Sequence, residues 1–391
     1  MIEQNSLKYT SLQKKSWPNT MQKKVRVLHL LYALGVGGAE RRVLRLGLGL
    51  DADRYDIHAL SLRPVEGATL PWPPERHTYF PIPSGLHRDR LLGLARFMRE
   101  GQFDVVHTHN WATMFYGVLA AKLARVPVVL HGEHGRNERD RAGFPLRREI
   151  AAATLARLAT RVVAVNESIA ADVQGRWKLP SSRIVCVPNG VDLGRFKPRS
   201  ERGPDTGRDA DEFVIGTIAR FDAIKNLPCL IRAFERLVQA QPQLKLRLVL
   251  VGAGPEQEAL SQLARQGAAA SKIDFVGETA TPEQWYPRFD LFANTSHSEG
   301  MSNSVLEAMA CGVPIVASAI AGNLCWLHDG ANALFFPSDD DAALAAHLQR
   351  FATEPGLAQR MGAENLRRVH AEYDNSFFLQ RYDMLYQSLL K

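Results

Sequence analysis

Glu299 and Glu307 stand eight positions apart in Ser298-Glu299-Gly300-Met301-Ser302-Asn303-Ser304-Val305-Leu306-Glu307. The spacing predicts Glu299 in a loop and Glu307 inside a helix whose Ser/Asn-rich start offers backbone amides to an anion. Carboxylates so arranged can grip hydroxyl groups while the amides receive a diphosphate. A second segment, Ile218-Ala219-Arg220-Phe221-Asp222-Ala223-Ile224-Lys225-Asn226, follows an apolar run. Arg220 and Lys225 there could neutralise a departing diphosphate, since fixed cations stabilise charge where it develops. A third, Leu34-Gly35-Val36-Gly37-Gly38-Ala39-Glu40, leads from a strand into a helix, where glycine lets the backbone approach a phosphate. The third glycine follows the second at once, and no clear acidic residue closes the next strand. A nicotinamide dinucleotide is therefore not the expected ligand.

Histidines cluster in Val129-Leu130-His131-Gly132-Glu133-His134-Gly135. Either His131 or His134 could line the reacting centre, with His134 preferred because a glycine follows it. The spacing is not that of a His-Glu-x-x-His zinc helix. His107 and His109 flank Thr108 at another strand end, where structural and substrate-lining roles are both open. Ser338-Asp339-Asp340-Asp341 precedes a helical run and reads as a loop with a helix cap rather than a metal site. No metal and no cofactor is expected.

Positioning these groups requires an α/β framework, because short apolar runs alternate with longer amphipathic ones. Strands are predicted at 25–32, 54–62, 103–107, 126–130, 161–165 and 184–187. Helices fall at 39–50, 88–99, 111–123 and 147–158. After a polar stretch, RSERGPDTGRDADE, the alternation restarts. Strands follow at 213–218, 246–251, 273–276, 291–294 and 314–318. Helices follow at 227–240, 256–265, 303–310, 341–351 and 371–390. This gives a flexible tail at 1–21, a first domain at 22–198, a linker at 199–212, a second domain at 213–370 and a C-terminal helix at 371–391. Two such units place a ligand cleft between them, beyond the carboxyl ends of the strands.

Taken together, the three segments resemble the retaining glycosyltransferases of the GT-B fold, family 4, over nearly the whole chain. Glu299 and Glu307 fall on that family's paired-glutamate motif, and EAMACGVPIVAS (307–318) is close to its common form. Val187-Pro188-Asn189-Gly190-Val191-Asp192, with Phe196 and Pro198, is similar to its hinge-side signature. LHGEHG and EGMSNSVLEAMACG look most like sugar transferases of bacterial polysaccharide and exopolysaccharide systems. The resemblance implies two Rossmann-like domains with parallel sheets facing across a cleft and a C-terminal helix crossing back to the first. It implies that Glu299 holds donor-sugar hydroxyls and Glu307 the nucleotide ribose. Arg220 and Lys225 would take the diphosphate, assisted by Gly37, Gly38, Gly300, Met301, Ser302 and Asn303. The donor would be a nucleoside-diphosphate sugar, most simply a UDP-sugar, and the anomeric configuration would be retained. Where the family often has a Gly-Gly-x-x-Glu turn this chain has Ala321-Gly322-Asn323-Leu324-Cys325-Trp326, a departure on the donor side.

The chain's net charge of +7 is uneven. Residues 1–200 carry 31 Lys and Arg against 17 Asp and Glu, a balance of +14, and the remainder carry −7. With the first domain on the acceptor side, this excess suggests an anionic partner: a glycan or lipid-linked saccharide acceptor, or an anionic membrane surface. Residues 88–99 and 136–148 combine basic and apolar groups suited to such docking. No nucleic-acid signature accompanies the charge, so nucleic acid is not an expected partner. Cys186, Cys229, Cys311 and Cys325 form no CxxC pair, and no apolar run spans a bilayer. A cytoplasmic protein, peripheral on the inner face of the membrane, is the expectation. The competing readings are a nucleotide-sugar epimerase of the same architecture and a nucleotide-sugar-binding protein without turnover.

Overall fold

The computed structural model describes residues 23–391 apart from 36, 66–69, 136–144 and 199–210. The expected tail, most of the expected linker and much of the basic stretch 136–148 lie outside the described residues.

The apolar runs become strands because a parallel sheet covered by helices on both sides has no solvated face. The first unit contains β1 (Val25–Leu31), α1 (Gly38–Gly49), β2 (Tyr55–Ser61), β3 (His77–Tyr79), α2 (Arg88–Glu100), β4 (Val105–His109) and α3 (Asn110–Ala124). It continues with β5 (Val128–Glu133), α4 (Leu146–Leu158), β6 (Arg161–Ala164), α5 (Glu167–Trp177) and β7 (Ile184–Cys186). The second contains β8 (Phe213–Ile218), α6 (Leu227–Ala240), β9 (Leu246–Val251), α7 (Gln257–Gln266), β10 (Ile273–Gly277), β11 (Leu291–Asn294) and α8 (Asn303–Ala310). It ends with β12 (Ile315–Ser318), α9 (Ala321–Leu324), β13 (Leu334–Phe336), α10 (Asp341–Thr353), α11 (Pro355–Arg368) and α12 (Asn375–Leu390).

The sheets run β3-β2-β1-β4-β5-β6-β7 and β10-β9-β8-β11-β12-β13, and every pairing is parallel. In each sheet the strand order reverses once, between β1 and β4 and between β8 and β11. Loops leaving the carboxyl ends there part in opposite directions and open a crevice.

The expected C-terminal helix is interrupted. A wide helical turn over Val369–Tyr373 extends α11, and α12 starts only after Asp374, whose carboxylate caps Ser376. The break is made by the first unit: Val191 donates to the Tyr373 carbonyl and accepts from Asn375, each through its backbone. From that point α12 crosses back and packs Phe378, Tyr382 and Tyr386 with Val27 and Leu31 of β1 and Val43 and Leu46 of α1. Arg42, fully buried, fastens the crossing. Its guanidinium donates to Asn189, to the Val187 carbonyl and to Tyr382, and it lies over the Phe378 and Tyr382 rings.

α2 turns Leu94, Ala95 and Met98 into the core and leaves Leu92 exposed on its outer side. α4 differs: Leu146, Ile150 and Leu158 are exposed along one side. Among the described residues no helix is long and apolar enough to cross a membrane.

Candidate active site

The chain leaving β8 reaches Lys225 through a tight turn closed by Asn226 in the left-handed region (φ +48°). The chain leaving β11 reaches Glu299. Lys225 Nζ donates to Glu299 Oε1 at 2.8 Å, and the same oxygen accepts from Ser296 at 2.7 Å and Asn294 at 3.3 Å. Burial alone would raise the Glu299 carboxyl. The Lys225 charge and these hydrogen bonds outweigh it and hold the group below the ordinary glutamate range, so it is ionised at neutral pH. Thr295 fixes the turn by donating to the Lys225 carbonyl, and Asn323 fixes Asn294. The departing turn at 321–326 thus supplies the strut behind Glu299. Arg220 is not brought to this pair; its side chain is 74% exposed at the rim, 3.9 Å from Asp222.

Glu307 lies one helix further in. Ser302 caps α8 by accepting from Val305, and Glu307 on the buried side of that helix accepts a hydrogen bond from Tyr286 at 2.7 Å. Two first-unit cations face it: Arg41 at 3.8 Å and Arg45 at 4.0 Å. Burial pushes the Arg45 guanidinium down to about 10, with Glu307 opposing the shift. Arg45 also donates to Asn303, and Gly38, at the start of α1, abuts the Asn303 amide. The amino ends of α1 and α8 therefore confront each other, flanked by Arg41 and Arg45. Convergent amides and cations of this kind suit an anion. Gly37 is the residue that caps α1.

Between the two glutamates the units touch closely. A methyl group at Gly300 would strike the His134 carbonyl oxygen of the first unit, and within the second unit one at Gly322 would strike the Glu299 carbonyl oxygen. Gly135 adopts φ +115° with its backbone against Gly300. Asn166 caps α5 and donates to the Gly300 carbonyl, while Asn189 donates to the Met301 carbonyl at 3.0 Å. Gly300 and Met301 thus spend part of their backbone on the first unit.

The two candidate histidines part company. His131 is fully buried, with Nδ1 2.8 Å from Thr108 Oγ1 and Nε2 3.0 Å from Glu133. His134 is half-buried beside Gly300, its backbone amide held by Asn110. Behind it lie His29 on β1 and His107 and His109 on β4. His29 and His107 are register partners, and alternate residues share a face, so all three rings project from one side of the sheet. Gly132, opposite His109, leaves room for them. Burial holds His107, His109 and His134 well below the ordinary histidine value and His29 down at about 3, with Arg42 adding to each shift. His29, His107 and His109 are the one group of three His, Cys, Asp or Glu among the described residues that could hold a metal ion, their nitrogens within 4.8 Å of one another. No carboxylate joins that group, and the Arg42 cation is close by. In the Asp-rich segment, Asp340 caps α10 through the Ala343 amide and Asp341 binds Arg232 and Arg236.

Arg41, Arg42, Arg45, Tyr286, Asn166 and Asn189 escape the reading of spacing. The signal for two of them was present: Arg41 and Arg45 fall on one face of a helix that opens on two glycines.

Residues 36–195 match the family described as Glycosyltransferase Family 4, and residues 212–354 match Glycosyl transferases group 1. The D-inositol 3-phosphate glycosyltransferase of Kribbella flavida is 30% identical over 287 residues, 68% of each chain. Among solved structures, Anabaena HepE in complex with UDP and glucose superposes with a TM-score of 0.78 at 18% identity, covering 93% of this chain and all of that one. The lipopolysaccharide outer core galactosyltransferase WaaB in its apo form gives 0.70 at 16% identity, covering 93% and 100%.

Proposed function

This chain belongs to the family 4, group 1 glycosyltransferases, and from that premise we propose that it moves a sugar from a UDP-sugar to a glycan or lipid-linked saccharide in bacterial surface-polysaccharide synthesis, with retention at the anomeric carbon. The observation that carries the proposal is the Lys225–Glu299 pair at the β8/β11 crevice, beside the amino end of α8. The donor diphosphate lies between the α1 and α8 amino ends, with Lys225, Arg41 and Arg45 supplying positive charge. These groups take the part that a divalent metal plays elsewhere, and transfer proceeds without one. Glu299 accepts from hydroxyls of the sugar. Glu307 exchanges its arginine partners for the ribose hydroxyls as the donor enters, and the exposed Arg220 folds in from the rim.

The reaction is a front-face displacement. The acceptor oxygen bonds to the anomeric carbon as the bond from that carbon to the phosphate oxygen breaks, and the departing phosphate oxygen takes the acceptor's proton. The UDP carried by the Anabaena structure and the galactosyl transfer in the WaaB name support this choice of donor and acceptor class by analogy of fold. Radiolabelled donor turnover tests it. Wild-type protein with EDTA turns over UDP-sugar, Lys225→Ala and Glu299→Ala lose it by on the order of 100-fold or more, and a distant surface variant, Arg350→Ala, does not. Equal turnover in all four samples overturns the assignment.

A further inference from the structure

Of the histidines behind His134, His109 and His29 form a hydrogen-bonded file, while His107 stands beside them with neither ring nitrogen partnered among the described residues. His134 Nε2 lies 2.8 Å from His109 Nδ1, His109 Nε2 lies 3.0 Å from His29 Nδ1, and His29 Nε2 lies 3.5 Å from the Tyr386 hydroxyl on α12. His29 and Tyr386 are fully buried and His109 nearly so. A neutral imidazole has one N–H and one lone pair. His109 uses both nitrogens in the file, so its two bonds must point the same way along it, and the ends are tied to each other.

Only two orders of protons are open. In one, Tyr386 donates to His29, His29 donates from Nδ1 to His109, and His109 donates from Nδ1 to His134. In the other, every bond is reversed, and the buried Tyr386 hydroxyl hydrogen has no acceptor among the described residues. An unsatisfied buried donor makes the second order the costlier one. Burial keeps the phenol protonated and the imidazoles uncharged, so neither order is disturbed by titration near neutral pH.

We propose that Tyr386, His29 and His109 are positioning residues that lock His134 in the Nδ1–H tautomer, so that it meets the sugar donor as a neutral hydrogen-bond donor. Among the described residues His134 Nδ1 has no partner, and the residue sits against Gly300, one position from Glu299. The role of His134 towards substrate rests on the transferase reading above; the tautomer does not. In this tautomer Nδ1 has no lone pair to take a proton. His134 therefore donates to an oxygen of the sugar or of the leaving phosphate, and the acceptor's proton goes elsewhere. The C-terminal helix, far away in sequence, becomes part of the active-site chemistry through one hydroxyl.

Selective 15N labelling of histidine, with long-range 1H–15N spectra, reads the tautomers directly, and His134→Ala assigns the His134 signals. The wild type is expected to show His134 protonated on Nδ1. Tyr386→Phe removes the terminal donor while keeping the ring, and a population protonated on Nε2 should then appear at His134. In turnover, Tyr386→Phe should lower kcat several-fold with the donor KM nearly unchanged. His134→Asn, whose amide can place an N–H near Nδ1, should retain more activity than His134→Ala. A wild-type His134 protonated on Nε2, or a spectrum indifferent to Tyr386→Phe, overturns the proposal even if the enzyme is active. If instead turnover is absent while the tautomers behave as stated, the transferase reading fails and the file stands. Stoichiometric zinc binding that is lost in His107→Ala also overturns it, because coordinated nitrogens at His29 and His109 could not carry the file.

Discussion

Removing Lys225 leaves a buried carboxylate without its cation. The Glu299 side chain is 9% exposed and that of Lys225 25%, so the pair is only partly screened by water. In the wild type the Glu299 carboxyl is held below its unfolded value. Its stabilisation is therefore complete above that value and lost as pH falls through the lower, folded one. In Lys225→Met only the Ser296 and Asn294 hydrogen bonds are left to oppose burial, so the carboxyl rises from its wild-type position and the stabilisation it contributes at neutral pH shrinks. Lys225→Met should cost about 2–3 kcal/mol at pH 7, the low side of a broken buried pair because lysine is partly solvated. The deficit should shrink when the pH is lowered from 7 to about 4, because the variant's Glu299, no longer held down by Lys225, takes up its proton at a higher pH than the wild type's. Thermal melts of both proteins at the two pH values measure it, and a deficit independent of pH would show that Glu299 does not feel Lys225. Arg220 and Lys225 look alike in the sequence. The left-handed Asn226 closes the turn that brings Lys225 to Glu299, whereas Arg220, before the turn, stays exposed at the rim.

Glycine 300 works at the level of the elements, where the β11–α8 loop meets the β5 loop. Its missing Cβ is what lets the Glu299 loop close on His134, backbone against backbone. Gly300→Ala should therefore leave both units folded, as circular dichroism reports, while lowering kcat/KM by on the order of 100-fold through misplacement of about an ångström. Unchanged kinetics would mean that the contact is not kept during turnover. Here the limits of the sequence are visible. β8, α6, β9, β11 and α8 occupy the predicted residues, because their apolar runs are long or their periodicity is clean. α5 was missed: only Ile169, Val173 and Trp177 are buried in it, too sparse a stripe among polar neighbours. α11 shows a similarly sparse stripe, and β3 and β13 are three residues each, too short to show a period. Glu299 and Lys225 could be paired through motif resemblance. The meeting of Arg41 and Arg45 with Glu307 could not, since it depends on how residues more than 250 positions apart face each other across two units. The same holds for the file from Tyr386 to His134, which exists only once α12 has crossed back.

For the molecule as a whole, an anionic partner of the basic first half can be sought at α4. Helices that follow a strand in these sheets start at the carboxyl edge, so α4 begins on the cleft side. Leu146 is 75%, Ile150 59% and Leu158 40% exposed, and Arg147 and Arg157 lie among them. Leu146 and Ile150 one helical turn apart, with Leu158 about two turns further and arginine beside them, suit insertion into the interface of an anionic bilayer. α2, the other stretch that the sequence offered beside residues 136–148, buries Leu94, Ala95 and Met98 and exposes Leu92 alone among its large apolar side chains, a smaller apolar surface than that of α4. Docking through α4 would hold the first unit's cleft edge at the membrane, where the sugar of a lipid-linked acceptor is presented. Wild-type protein should then sediment with vesicles containing about a third anionic lipid at low salt and be released as salt approaches 1 M, where the Debye length falls to about 3 Å. The pair Leu146→Glu and Ile150→Glu should abolish sedimentation without lowering the melting temperature, since neither side chain is packed. Turnover on a water-soluble acceptor should be unaffected, while turnover on a lipid-linked one should fall. If the variant still sediments, α4 is not the docking face; if both acceptors are used equally well by the variant, the membrane takes no part in presenting the acceptor.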